Sequence, residues 1–243
     1  MICTPFKRVH LTMHHEHHLK SSDTIRDIVI GMSDGLTVPF ALAAGLSGAV
    51  AKSGIVVTAG IAEIVAGSIA MGLGGFLAGR TEADHYASEL KREYDEVERV
   101  PDQEKQEVME VFADFGLPLK LQKEVADEMA KDTDKWVDFM MRYELGLEKP
   151  QANRATQSAV TIGLSYIVGG IIPLSPYFFV ANSQTALYYS CAITLVCLFV
   201  FGYFKSRVTG QPAVSGAFKV LFIGALAAAA AFVIAKWVSG GGL

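Results

Sequence analysis

The 243-residue chain has only three cysteines, carries no acidic residue after Glu148, and runs from Ala155 to Phe204 without a single Asp, Glu, Lys or Arg. Each scarcity excludes something. Cys3 lies in a polar tail, and Cys191 and Cys197 sit six apart in an apolar run, so neither a disulfide framework nor a cysteine-rich metal site can be built. Fifty consecutive uncharged residues cannot coat a soluble globule. The first 24 residues lack the apolar core of a cleaved signal peptide, so membrane insertion would be directed by the first apolar segment itself. The period-two alternation of strands is missing throughout, which leaves an all-α chain.

Charge is concentrated elsewhere. The stretch from Arg80 to Arg154 holds 20 acids and 12 bases, a net −8, while the rest of the chain holds 5 acids and 9 bases, a net +4. The formal net charge of −4 therefore averages two unlike objects. Because the only charge-dense region is acidic, a nucleic-acid binder is excluded.

A helix needs about 20 apolar residues to cross the hydrocarbon core of a bilayer. Ile28–Ala51 qualifies with one charge, Asp34, and Ser53–Gly79 with one charge, Glu63. The uncharged run is broken by Pro173-Leu-Ser-Pro176 and Asn182-Ser-Gln184 and reads as two helices, 155–176 and 184–205. Val208–Ala235 contains only Lys219 and closes on Lys236, Trp237 and a glycine-rich tail. The expectation is a polytopic membrane protein with five transmembrane helices: a His-rich tail (1–24), spans one and two (25–79), a polar insert (80–154), and spans three to five (155–243). With the N-terminus cytosolic and the C-terminus lumenal, 19 of the 21 Lys and Arg residues face the cytosol. The insert then caps the cytosolic face with three to four helices. Arg80–Val97 continues the second span, followed by Asp102–Phe115, Leu119–Lys131 and Thr133–Leu145, with Gly146 as C-cap.

An acid at mid-bilayer costs roughly 2.5–3.5 kcal/mol and ordinarily faces a bundle interior or a water path. Asp27, Gly31 and Asp34 share one face of the first span, and Pro39 frees the carbonyl of Gly35 beside Asp34. Glu63, Gly67 and Met71 share one face of the second. Two carboxylates, a freed carbonyl and a thioether can hold a partly dehydrated divalent cation, and the thioether favours a transition metal. Ala62, Ala66, Ala70 and Gly74 form a stripe of small residues that suits either close packing within one chain or an oligomer face.

In the insert, Glu82, His85, Glu89, Glu93 and Glu96 form one helical stripe, with Glu104 and Glu107 on the next helix and Met140, Met141 and Glu144 on the last. Glu-x-x-Glu occurs at 93/96 and 104/107, and carboxylates converging from several helices are how bundles hold iron, manganese or zinc. A solvated acidic face gives the same spacing; an acidic cap over a path carrying Asp34, Glu63 and Met71 would concentrate divalent cations there. His10, His14, His15, His17 and His18, with Glu16, read either as a loose chelator or as a tail without a defined site.

The run from Arg26 to Gly48 (Arg-Asp-Ile-Val-Ile-Gly-Met-Ser-Asp-Gly-Leu-Thr-Val-Pro-Phe and onward) resembles the first span of plant vacuolar iron transporters. Thr58-Ala-Gly-Ile-Ala-Glu63, Ser68–Gly75, Glu82-Ala-Asp-His-Tyr86 and Asp138–Pro150 are similar to the same family, so that the resemblance covers nearly the whole chain after the tail. It implies a five-span homodimer in the vacuolar membrane that moves ferrous iron from cytosol to vacuole in exchange for protons, along a path at the dimer interface between first and second spans. By position, Asp34, Glu63 and Met71 would line that path, and Asp23 stands where the family tends to place a Glu near the cytosolic entrance; Asp27, on the Asp34 face of the first span, is counted with the pathway. Glu93, Glu96, Glu104, Glu107, Met140, Met141 and Glu144 would form the cytosolic metal-binding domain. Zn2+, Mn2+ and Co2+ are possible substitutes for Fe2+, and no prosthetic group is implied. Relatives of nodulin type lack most of the insert.

Two rivals come from other classes. A membrane-anchored, carboxylate-bridged di-iron oxidase explains the Glu-x-x-Glu pairs but leaves Asp34 and Glu63 idle and lacks the paired Glu-x-x-His signature. A metal sensor gives the buried carboxylates no work. A secondary transporter, not an enzyme, uses both sets.

Overall fold

The computed structural model describes residues 22–240; the histidine cluster of the N-terminal tail lies outside the described residues. Eight α-helices follow in order: α1 (Ser22–Ala49), α2 (Ser53–Arg99), α3 (Pro101–Asp114), α4 (Leu119–Met129), α5 (Thr133–Phe139), α6 (Arg154–Leu174), α7 (Ser183–Val208) and α8 (Ala213–Ser239). Among the described residues, β-pairing is confined to an isolated bridge between Lys52 and Asn182, which ties the α1–α2 connection to the α6–α7 connection. Five helices, α1, α2, α6, α7 and α8, are long and apolar enough to span a bilayer.

The 47 residues of α2 form one uninterrupted helix, about 70 Å long at 1.5 Å per residue. The hydrocarbon core takes up only about 30 Å. The C-terminal half therefore projects from the membrane and carries the insert. Nothing breaks this helix before Val100, whose non-helical backbone turns the chain into Pro101 at the first turn of α3. Gly116 and Gly146, both at positive φ, end α3 and the last helical segment of the insert. Asp132 caps α5 by accepting from the Lys135 amide at 3.3 Å.

The insert folds around Val97, Val108, Ala126, Trp136, Val137, Met140 and Met141. One detail departs from the expected helix over 133–145. The α-helix ends at Phe139 and continues as a π-helical turn over Met140–Glu144, closed by the Leu145 amide on the Met140 carbonyl. The widened turn lets the adjacent Met140 and Met141 both point inward, each essentially fully buried.

In the membrane part, α6 is the central element. It packs along both α1 and α2, while α8 packs along α1 and α7. Closeness depends on glycine: a Cβ at Gly31 would stand 2.3 Å from the carbonyl oxygen of Ile162, and one at Gly35 would stand 2.4 Å from that of Tyr166. α6 also sets the register of its neighbours. Ile162 meets Gly31 of α1 and Gly75 of α2, and Tyr166 meets Gly35 and Gly67. α1 and α2 are thus antiparallel, with Asp34 at a height between Glu63 and Met71.

Candidate metal sites in the membrane and the insert

The insert gathers carboxylates. One oxygen each from Glu93 and Glu96 on α2 and Glu104 on α3 lie within 4.8 Å of one another. The Glu-x-x-Glu spacing places the first two on one face, and the reversal at Val100 brings Glu104 back over them. Glu93 and Glu104 are each 2% exposed, and each has one carboxylate oxygen with no hydrogen-bond partner. Burial and repulsion both penalise negative charge here. Burial first, then Glu107 and Glu93, push Glu104 up to about 7. Burial and Glu96 raise Glu93. Glu144, whose residue surface as a whole is exposed, is also pushed up to about 7 by burial of its carboxyl and then by Glu107 and Glu93.

Arg92 is the local counter-charge. It lies 2.7 Å from Glu89, 3.4 Å from Glu96 and 3.6 Å from Glu93, half exposed at the rim. Glu107 is half-buried and accepts from Gln103 at 3.1 Å. Met140 and Met141 lie in the apolar core beneath. The structure therefore brings Glu93, Glu96 and Glu104 together as a ligand set, with Glu107 and Glu144 within electrostatic reach. Unpaired carboxylate oxygens in a buried site are costly unless neutralised by protons or a cation, and an all-oxygen set suits a divalent metal.

In the membrane, Glu63 of α2 and Asp34 of α1 are half-buried. The Tyr166 hydroxyl donates a hydrogen bond to one Glu63 oxygen; the other oxygen is buried without a partner. Tyr166 is 2% exposed, and its ring fills the notch at Gly67, where a Cβ would come within 2.5 Å of the phenol. Met71 is half-buried on the Glu63 face, eight residues and so about 12 Å further along α2. Glu63 and Met71 of one chain therefore cannot share a coordination sphere; with Asp34 between them in height, the three form a ladder.

Asp27 is held differently. Arg154, the first residue of α6, grips it with two hydrogen bonds of 2.6 and 3.1 Å, and Ser158 adds a third at 3.1 Å. Asp27 is 3% exposed and both its oxygens are engaged. Asp23 stands 3.6 Å from the Arg154 Nε. A 120 Å³ cavity beside this pair is lined by Glu82, Gly75 and Gly79 of α2.

Sequence reasoning missed Tyr166, Arg154 and Arg92. The available signals were a tyrosine in the charge-free run, an arginine at its edge, and a lone base inside an acidic stripe.

A chain with five helices long and apolar enough to span a bilayer, and a carboxylate-bearing helical insert projecting from them, is a polytopic helical membrane protein. The family model described as VIT family matches residues 25–236, and the chain belongs to that family. It is 52% identical to Vacuolar iron transporter 1 of Tulipa gesneriana over 97% of this chain and 95% of the relative. It is 53% identical to Vacuolar iron transporter 1 of Arabidopsis thaliana over 96% and 94%. Protein CCC1 of Saccharomyces cerevisiae is 40% identical over 87% of this chain and 68% of the relative.

Proposed function

We propose that this protein is a secondary transporter of the vacuolar membrane that carries ferrous iron from cytosol to vacuole in exchange for protons, and not an enzyme. The observation that carries the reading is the pairing of an under-compensated carboxylate cluster in the insert with a second carboxylate set inside the membrane. Its likeness to vacuolar iron transporters supports iron as the cargo.

In this reading the insert lies on the cytosolic side. Glu93, Glu96 and Glu104, helped by Glu107, Glu144 and the buried Met140 and Met141, collect the metal. Asp23 and Asp27 sit at the mouth of the path, where Arg154 holds them. The ion then moves past Met71, Asp34 and Glu63 in turn. A proton arriving from the acidic lumen cancels the charge of Asp34 or Glu63 and releases the metal, because one carboxylate cannot hold proton and metal together. The thioether of Met71 favours transition metals over calcium and magnesium, so Mn2+, Co2+ and Zn2+ are competing cargoes. Two copies pair through the first and second spans, with the exposed stripe of Ala62, Ala66, Ala70 and Gly74 as the face on α2. The decisive measurement is Fe2+-driven proton flux in proteoliposomes: Asp34→Ala is expected to abolish it, and wild-type flux in that variant would remove Asp34 from the path.

A further inference from the structure

The helices α7 and α8 pack side by side. Near the insert they are drawn together by glycine: a Cβ at Gly202 would stand 2.9 Å from the Ala217 Cα, and one at Gly224 would stand 2.4 Å from Leu198. Beyond Gly224 a groove of 590 Å³ lies between them, over the buried Phe40 and Ala44 of α1. One wall is Leu187, Cys191 and Leu195 of α7; the other is Ala225, Ala228 and Ala229 of α8, whose small side chains leave the space open.

The two ends of this groove differ in chemistry. The deep end is wholly apolar. The outer end carries Gln184, Tyr188 and Lys236, at the level of the Lys52–Asn182 bridge and so at the membrane boundary opposite the insert. From Gln184 to Leu195 the groove runs 11 residues along α7, about 17 Å, or roughly one leaflet of a 30 Å hydrocarbon core. Among the described residues Lys236 is the one charged group lining it, and no Asp or Glu occurs in the chain after Glu148. Trp237 follows Lys236, in keeping with the aromatic belt at headgroup level. The groove also lies away from the small-residue stripe of α2, since α2 and α8 do not touch.

We propose that this groove is a binding site for one anionic glycerophospholipid, with an acyl chain along the alanine wall and the headgroup phosphate on Lys236, assisted by Gln184 and Tyr188. A single lysine near an anionic headgroup favours it over a zwitterionic one about fivefold. The apolar wall retains the chain whatever the headgroup.

The test uses the full-length protein in bilayer nanodiscs of phosphatidylcholine and phosphatidylserine in equal parts, with retained lipid counted by native mass spectrometry. The wild type is expected to keep phosphatidylserine in preference to phosphatidylcholine. Lys236→Gln is expected to lower that preference about fivefold while lipid is still retained, and Lys236→Arg to restore it. Ala229→Trp, or Ala225→Phe should the first variant not fold, is expected to lose both lipids. Retention in the bulk ratio by the wild type, or undiminished retention by the groove-filling variant, would overturn the proposal. A shift of oligomeric mass on filling the groove would overturn it too, by showing that a second copy sits there.

Discussion

The Tyr166 hydroxyl of α6 donates a hydrogen bond to Glu63 of α2 while the backbone of the same tyrosine rests against Gly35 of α1, next to Asp34. A single residue thus ties together the two helices that carry the intramembrane acids. The bond occupies one Glu63 oxygen and leaves the other buried and unpaired, which is how a ligand atom is aimed without being satisfied.

Tyr166→Phe keeps the ring in the Gly67 notch and removes only this bond. A hydrogen bond to a charged group is worth about 1.5–3 kcal/mol, so the expected result is a rise of about tenfold or more in the KM for Fe2+ uptake, with thermal stability close to wild type. An unchanged KM in proteoliposomes would reduce Tyr166 to a packing residue.

The Arg154–Asp27 pair makes the opposite prediction, a structural one. Removing one partner of a buried pair strands the other charge and costs about 3–5 kcal/mol. Arg154→Met is therefore expected to lower the thermal midpoint sharply in detergent, and the double variant Asp27→Asn/Arg154→Met to recover much of the loss. Equal midpoints for the single and double variants would mean that Asp27 is not stranded by loss of the arginine.

The five spans and the projecting insert were legible because a bilayer imposes a coarse, nearly binary demand on composition, and the breaks at Pro101, Gly116 and Gly146 are local signals. The Glu93/Glu96/Glu104 set was legible for the same reason: helical spacing plus one reversal brings it together. What escaped was pairing across the chain. Tyr166 and Glu63 are 103 residues apart and Arg154 and Asp27 are 127 apart, so neither bond leaves a mark in local periodicity. Asp27 shares a helix face with Asp34, but only the third dimension shows that Arg154 has already claimed it. The π turn at Met140–Glu144 is likewise invisible to a 3.6-residue pattern.

Glycines along these helices are not equivalent. A Cβ at Gly35 meets the Tyr166 backbone, which cannot yield cheaply, whereas at Gly74 no atom lies within 4 Å. Gly35→Ala is expected to destabilise by about 1–3 kcal/mol through overpacking. Gly74→Ala is expected to hold or slightly raise stability, since Ala is the better helix former by about 0.8–1 kcal/mol. Gly74→Trp carries the dimer reading: it is expected to leave each protomer folded but shift chemical cross-linking from dimer to monomer. A cross-linked dimer that survives this substitution would move the interface away from the stripe.

The insert cluster makes stability and metal affinity run in opposite directions with pH. Glu104 and Glu144 titrate near 7 instead of near 4.5, and Glu93 is raised as well. Between about 4.5 and 7 the folded metal-free protein therefore holds more protons than the unfolded chain, so its stability falls as pH rises through that window. Metal binding demands the deprotonated carboxylates, and so affinity grows over the same window. Thermal unfolding of the full chain from pH 5 to 7.5 is expected to show a falling midpoint without metal and a flat or rising one with saturating Mn2+. Glu93→Gln/Glu104→Gln should flatten the first curve and erase the difference between the two. Parallel curves in the wild type would mean that the protons on these glutamates do not compete with the metal, and the cluster would then be an acidic face and nothing more.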